Sequence, residues 1–233
     1  MKRLLVIPAR FGSKRIKYKN IKQFSKKPII HYSIETALKS NLFDEIHVST
    51  NKRKVLKVIS KFNLNNKFLR PEYLAGDKTP IFDVLEFVIN KYRTLGKKFD
   101  EIWSMSACSP FILVDDLKKA SKLLSKYPNK IILPVSKYSV PIEWALEFKK
   151  KSSILKAFKK NLFQIRSQDL NPKYHDTGQF ICFKSSEFLS LKKNIDSNYL
   201  GLKIPKERSI DIDDKSDWQL AEKLFNALKK KIK

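Results

Sequence analysis

The sequence is short of the residues that would place it in several large classes. It has two cysteines in 233 residues, Cys108 and Cys182, too few for a disulfide framework or a zinc site. Glycine is scarce, at five, and there is no internal repeat or low-complexity linker. No apolar run approaches the roughly 18 residues of a membrane span. Met1 to Pro8 is basic and then apolar, but too short for a signal peptide, and no small-residue cleavage site follows it. The expectation is a soluble, cytoplasmic chain with no membrane partner.

Acidic residues are also in the minority, with 23 Asp and Glu against 49 Lys and Arg and a net charge of +26. Such an excess suits a polyanion. Yet only eight of the basic residues are arginine, the side chain that forks onto phosphates and guanine edges. The lysines are dispersed as pairs and triplets, such as Lys26-Lys27, Lys97-Lys98, Lys149 to Lys151 and Lys229 to Lys231. A solvated basic surface that attracts anions in general accounts for this better than a dedicated nucleic-acid face.

What is present is ordinary core material, 42% apolar and 12% aromatic. It is enough for a single domain spanning residues 1–233. Short apolar runs alternate with amphipathic stretches. Leu4 to Ile7, Glu45 to Ser49, Glu101 to Met105 and Lys130 to Val135 read as strands. Helical faces fall at Ile30, Ile34, Ala37 and Leu38, at Val55 to Ile59, and at Leu117, Ala120, Leu123 and Leu124. Thr79-Pro80 reads as a helix start with Thr79 as cap, leading into Ile81, Val84, Leu85, Val88, Ile89 and Tyr92, with Gly96 near the stop. The alternation predicts an α/β fold, mostly a parallel sheet with helices on both faces. It breaks over residues 137–175, read as an excursion. Gln179 to Phe183 then returns as a strand, and a helix with Trp218, Ala221, Leu224, Phe225 and Leu228 ends the chain.

In open α/β sheets ligands bind at the carboxyl ends of the strands, so the loops there are where chemistry belongs. Pro8 to Asn20 follows the first strand and holds Arg10, Gly12, Ser13, Lys14 and Lys19. It reads either as a phosphate loop, in which glycine permits a close backbone approach, or as an exposed basic loop. Asp211 and Asp213 lie two apart on an extended segment and point to one side, as a pair of ligands for a hard cation would. The neighbouring Asp214 can cap the helix that follows. Arg166 to Leu170 and Tyr174 to Gln179 collect Arg166, Gln168, His175, Asp176, Thr177 and Gly178, groups suited to a polyhydroxylated anion. The loop from Leu69-Arg70-Pro71-Glu72 to Leu74-Ala75-Gly76-Asp77 offers a single arginine before a proline turn and reads at least equally well as a salt-bridged loop.

In order along the chain these segments resemble the acylneuraminate cytidylyltransferase family, the CMP-sialic acid synthetase type. The resemblance rests on I-P-A-R-F-G-S-K-R-x-x-x-K-N at Ile7 to Asn20, V-S-T at Val48 to Thr50, F-L-R-P-E at Phe68 to Glu72, Ser109-Pro110, and D-I-D at Asp211 to Asp213. R-S-Q-D-L, Y-H-D-T-G-Q-F, P-I-E-W-A-L at Pro141 to Leu146 and T-P-I-F-D-V at Thr79 to Val84 resemble its pseudaminic acid branch. Ser106 stands where sialate enzymes carry Gln, and His175 to Gly178 stand in place of their R-P-N-G run.

The resemblance implies a Rossmann-like nucleotidyltransferase fold with a protruding dimerisation arm, and a homodimer. It implies that CTP and a nine-carbon 2-keto sugar acid give a CMP-sugar and pyrophosphate, for surface glycan or flagellin glycosylation, with Mg²⁺ held by Asp211 and Asp213. Ala9, Arg10, Gly12, Ser13, Lys14, Lys19, Asn20, Arg70 and Ser106 would bind the nucleotide, with Arg10, Lys19 and Asp211 catalytic. Arg166, Gln168, His175, Asp176 and Thr177 would bind the sugar, Arg166 in its own or a neighbouring subunit's site. The alternatives are a sialic, legionaminic or Kdo enzyme on the same fold, an inactive homologue used as a scaffold, and, in another class, a basic nucleic-acid-binding protein.

Overall fold

A computed structural model describes residues 1–150, 152–193 and 198–231. Lys151, and the side chains of Lys229 to Lys231, lie outside the described residues. The elements are β1 (Arg3–Pro8), the β2 (Gln23–Phe24) and β3 (Lys27–Pro28) hairpin, α1 (Ile29–Ser40), β4 (Glu45–Ser49), α2 (Arg53–Val58), α3 (Ile81–Thr94), β5 (Glu101–Met105) and α4 (Val114–Lys126). Then come β6 (Ile131–Lys137), β7 (Leu146–Phe148), β8 (Leu155–Ala157), β9 (Tyr174–Asp176), β10 (Phe180–Lys184), α5 (Phe188–Lys193), β11 (Tyr199–Lys203) and α6 (Lys215–Lys231).

The main sheet runs β11-β6-β10-β5-β1-β4, with β9 added beside β6. β1, β4 and β5 are parallel, as are β6 and β11, while β10 lies antiparallel between β5 and β6. Alternation along β1 divides the core. Leu5 and Ile7 pack with Ile30 and Ile34 of α1 and with Leu117 and Ala120 of α4. Leu4 and Val6 face Leu85 and Val88 of α3 and Leu191 of α5 on the other side. Helices therefore cover both faces, as the alternation predicted.

Several local expectations shift. Pro80, not Thr79, occupies the cap position of α3, with extended backbone and no side-chain cap bond. Leu38 is exposed, because the buried stripe of α1 runs through Ile30, Ile34 and Ala37. The excursion is narrower than 137–175. Lys137 still belongs to β6, and Tyr174 and His175 already pair with it through β9. What projects is the separate β7–β8 hairpin and the turns around it. β11 had no sequence signal, because Gly201 interrupts its apolar pattern. A Cβ there would lie 2.8 Å from Val135 Cγ2, so glycine is what lets β11 pack against β6.

Within β4, His47 is fully buried, stacked on Phe68 at 4.4 Å, with Nδ1 3.4 Å from the Tyr92 hydroxyl. Burial first, and then the Arg70 charge, push its pKa down to about 4 from 6.5. The unfolded chain therefore binds a proton there that the fold refuses. Stability is unaffected above pH 6.5 and falls as pH drops from 6.5 to 4, by up to about 3 kcal/mol. His31, also lowered chiefly by burial, acts in the same direction. Urea unfolding of His47→Phe across that window is expected to show a shallower acid limb than wild type. Equal slopes would exclude His47 as the source.

Candidate active site

The loop after β1 is fixed at both ends by the chain itself. Ala9 is buried and donates its N–H to Ser49 O at 2.8 Å. Asn20 Nδ2 donates to Arg10 O at 2.8 Å. Phe11 stacks on Tyr18 at 4.5 Å, with Tyr18 in the left-handed region. These contacts turn Arg10, Ser13, Lys14, Lys19 and Asn20 toward a cavity of about 340 Å³, which Arg70, Ser106, Cys108 and Asp213 also line. Gly12 acts otherwise than expected. Its φ is not positive, and a Cβ there meets nothing within 4 Å. Its carbonyl instead accepts from Arg10 Nη1 at 3.0 Å.

Arg70 reaches this cavity from the segment after α2, held by its N–H to Thr50 O at 2.8 Å. It is 5% exposed, and Nε and Nη2 have no partner among the described residues. Burial first, and the nearby Arg10 charge second, lower its pKa to about 10. It remains a cation at neutral pH, desolvated and with no counter-anion among the described residues. Such a group calls for an acceptor-rich ligand. The loop is salt-bridged, as one reading had it, but through Glu72 to Lys52 at 2.6 Å and through Asp77, with no ion pair to Arg70 among the described residues.

The acidic segment arrives from the other end of the chain. Ile212 is buried against Trp218 and Phe24, so Asp211 and Asp213 turn outward on either side of it. Lys19 Nζ donates to Ile212 O at 2.7 Å and to Asp213 Oδ1 at 3.3 Å, and Arg15 contacts the same oxygen at 2.9 Å. Desolvation, and then the Asp213 charge, raise the Asp211 carboxyl above its usual value. Asp214 caps α6, accepting from Ser216 N at 2.8 Å and Asp217 N at 2.9 Å. Among the described residues no group of three or more His, Cys, Asp or Glu forms a metal cage. Asp213 lines the cavity and Asp211 stands two residues before it, close enough to feel its charge; one or two carboxylates fit Mg²⁺, which fills its sphere with substrate phosphates and water.

A second cavity of about 310 Å³ shares Pro8, Ile81 and Ser106 with the first and adds Ser104, Asp176, Gly178, Gln179, Phe180 and Ile181. Gly178 turns with φ +65, and a Cβ there would come within 3.8 Å of Asp211 Oδ2. The two segments therefore meet. Burial pushes the Asp176 carboxyl up, although Gly178 N donates to it at 2.8 Å. Other sugar candidates are placed differently. Thr177 is buried, with N and Oγ1 both on Pro134 O. His175 packs on Tyr138, ring centroids 5.0 Å apart. Arg166 pairs with Asp169 at 2.9 Å on the projecting arm, and Gln168 accepts from Ser167. Neither lines the cavities of its own chain.

Some contributors were not foreseen. Asp77 contacts Arg10 Nη2 at 2.5 Å and Lys14 Nζ at 2.7 Å. Arg208 pairs with Asp116, donates to Phe111 O at 3.2 Å and accepts from Gln179 Nε2 at 2.5 Å, which anchors the start of the acidic segment. Asp217 Oδ2 accepts from Asp213 N and Asp214 N at 2.9 Å each. Burial pushes the Cys108 thiol up to about 12, so it stays protonated and donates to Asn20 Oδ1 at 3.2 Å. Asp77 had a faint signal as an acid in a basic chain. Arg208 had none, because its partners are 92 and 97 residues away.

A cationic loop at the carboxyl end of a parallel strand, a desolvated arginine and an acidic pair define an α/β enzyme that binds a nucleotide polyphosphate. Comparison with known proteins narrows the class. Residues 4–226 match the cytidylyltransferase family, and the chain belongs to it. It is 31% identical over 225 residues, 97% of each chain, to a pseudaminic acid cytidylyltransferase of Campylobacter jejuni. It is 28% identical, over 97% of each, to a CMP-N,N'-diacetyllegionaminic acid synthase of Legionella pneumophila. A solved CMP:2-keto-3-deoxy-manno-octonic acid synthetase in complex with CTP superposes with a TM-score of 0.71, at 16% identity and covering 97% of this chain and 99% of that one. The fold is the Rossmann-like one of nucleotidyltransferases, and the chain is a cytidylyltransferase. No helix among the described residues is long and apolar enough to cross a membrane.

Proposed function

We propose that the chain transfers CMP from CTP to a nine-carbon 2-keto sugar acid, pseudaminic acid, with release of pyrophosphate. One observation carries the reading. Arg10, Lys14, Lys19, Arg70 and Asp213, drawn from both ends of the chain, line a single cavity beside the carboxyl end of β1. The sugar assignment is supported by 31% identity to the Campylobacter jejuni enzyme of that name and by the Y-H-D-T-G-Q-F segment, which brings Asp176 and Gly178 to the adjoining cavity.

In this reading Arg10, Ser13, Lys14 and Lys19 hold the triphosphate and take up the charge that develops on the leaving pyrophosphate. Arg70 and Ser106 meet the ribose or base, and Asp176 faces the sugar. The anomeric hydroxyl of the sugar attacks the α-phosphorus, the bond to the bridging oxygen breaks, and the hydroxyl proton passes to solvent or a carboxylate. Asp211 and Asp213 would hold Mg²⁺, which supplies charge neutralisation and lowers the pKa of a coordinated hydroxyl. Alignment of the reactants accounts for much of the remaining acceleration.

The reading includes a homodimer made through the arm. Phe148, Ile154, Phe158 and Val140 are each more than half exposed there, an apolar surface that suits a second copy. Contact through it would give Arg166 a route to the neighbouring site.

The decisive assay is pyrophosphate release by purified protein with Mg²⁺, CTP and separate sugar acids. Pseudaminic acid is expected to give the highest kcat/KM, and UTP, ATP and GTP little turnover. No release with any nine-carbon acid would sink the proposal, and preference for legionaminic acid or Kdo would move the chain to another branch.

A further inference from the structure

Asp213 pairs with Lys19 and Arg15 of the cationic loop, and Asp77 takes two of the loop's other cations. Its two carboxylate oxygens are divided between Arg10 Nη2 at 2.5 Å and Lys14 Nζ at 2.7 Å. Lys14 and then Arg10 hold its carboxyl below the usual range, so it is fully ionised at neutral pH. It sits in the turn before α3, where Thr79 N reaches Gly76 O at 3.4 Å. Gly76, Asp77 and Thr79 line the 340 Å³ cavity on one side and a groove of about 1010 Å³ along α3 on the other. The turn is thus a partition with open space behind it.

We propose that Asp77 is an internal stand-in for the nucleotide's phosphates. It occupies the cations of the loop when no polyphosphate is bound, yields to CTP by withdrawing toward the α3 groove, and competes with pyrophosphate for Arg10 and Lys14 after transfer. The inference rests on the reading of this loop as the triphosphate site. A phosphate brought onto Arg10 and Lys14 beside the Asp77 carboxylate would meet its like charge, so the two anions compete for these cations. The tethered carboxylate does not diffuse away when displaced, so it acts at high effective concentration. It therefore weakens CTP and pyrophosphate by a common factor and favours release of the product.

A structural staple makes the opposite prediction. If Asp77 merely holds the loop in shape, its removal loosens the loop and weakens polyphosphate binding. Exposed ion pairs are individually weak, so two lost together are expected to tighten binding about 5- to 10-fold. The test is calorimetric titration of the full chain with inorganic pyrophosphate and with CTP, each with Mg²⁺ present, for wild type, Asp77→Asn and Asp77→Ala. Both variants should bind each ligand more tightly by the same factor, with stronger inhibition of turnover by pyrophosphate. In a Lys14→Ala background, Asp77→Asn should give a smaller gain. Unchanged or weaker binding by Asp77→Asn, with an unaltered melting temperature, overturns the inference. Binding of neither ligand by wild type would instead sink the nucleotide reading itself.

Discussion

Lys19→Ala is expected to lower kcat/KM for CTP by about 100- to 1000-fold, the effect typical of removing one charged donor from a preorganised site. Lys19 does two things at once. Its Nζ reaches the cavity wall and also joins the nucleotide loop to the acidic segment, through Ile212 O at 2.7 Å and Asp213 Oδ1 at 3.3 Å. Without it the only described cation left on Asp213 is Arg15, which is two-thirds exposed, and the like charges of Asp211 and Asp213 face each other with less compensation. Lys19→Arg is expected to recover part of the loss, because it restores charge but not the compact head that fits beside Ile212. Steady-state kinetics with varied CTP check this, alongside circular dichroism to verify folding. A CTP profile like that of wild type in Lys19→Ala would remove Lys19 from the site.

Asp211→Asn is expected to cost at least about 100-fold in turnover without lowering the melting temperature measured in chelator. The ionised Asp211 is disfavoured where it stands, by desolvation and by Asp213. The amide removes that repulsion while keeping the shape. Added Mg²⁺ should raise the melting temperature of wild type and leave that of Asp211→Asn nearly unchanged, because ligand that binds only the folded state stabilises it. Asp213→Asn should behave alike in activity. It differs in the free protein, where Asp213 is already paired with Lys19 and Arg15. Wild-type turnover in both variants would dismiss the pair as a cation site, and an equal Mg²⁺-dependent shift in all three proteins would place the metal elsewhere.

These expectations couple segments that are almost 200 residues apart, and this is where the limits of the sequence lie. Leu4–Ile7 was legible as an apolar run, as a strand buried on both faces reads, while Glu45–Ser49 and Glu101–Met105 showed only short β-branched and aromatic stretches between polar turns. The loop Arg10 to Asn20 was legible because its cations follow such a strand directly. The pair Asp211 and Asp213 stood out as acids in a chain with a net charge of +26. The part of that charge used here is Arg10, Lys14, Lys19 and Arg70 on one cavity wall.

The order of the strands could not be read. β10 enters antiparallel between β5 and β6, and only that insertion brings Asp176 and Gly178 beside the acidic pair. Nor could the sequence tell that Arg70 Nε and Nη2 lack a partner among the described residues while Asp77 has two. Both are charges in the same loop, and only burial and distance separate a desolvated guanidinium from a satisfied surface carboxylate. By itself the sequence determined the central strands and main helices, the cationic loop and the acidic pair, because periodicity and charge are local properties. The tertiary structure alone decided which of these groups share a cavity, because convergence depends on strand order and on contacts between residues distant along the chain.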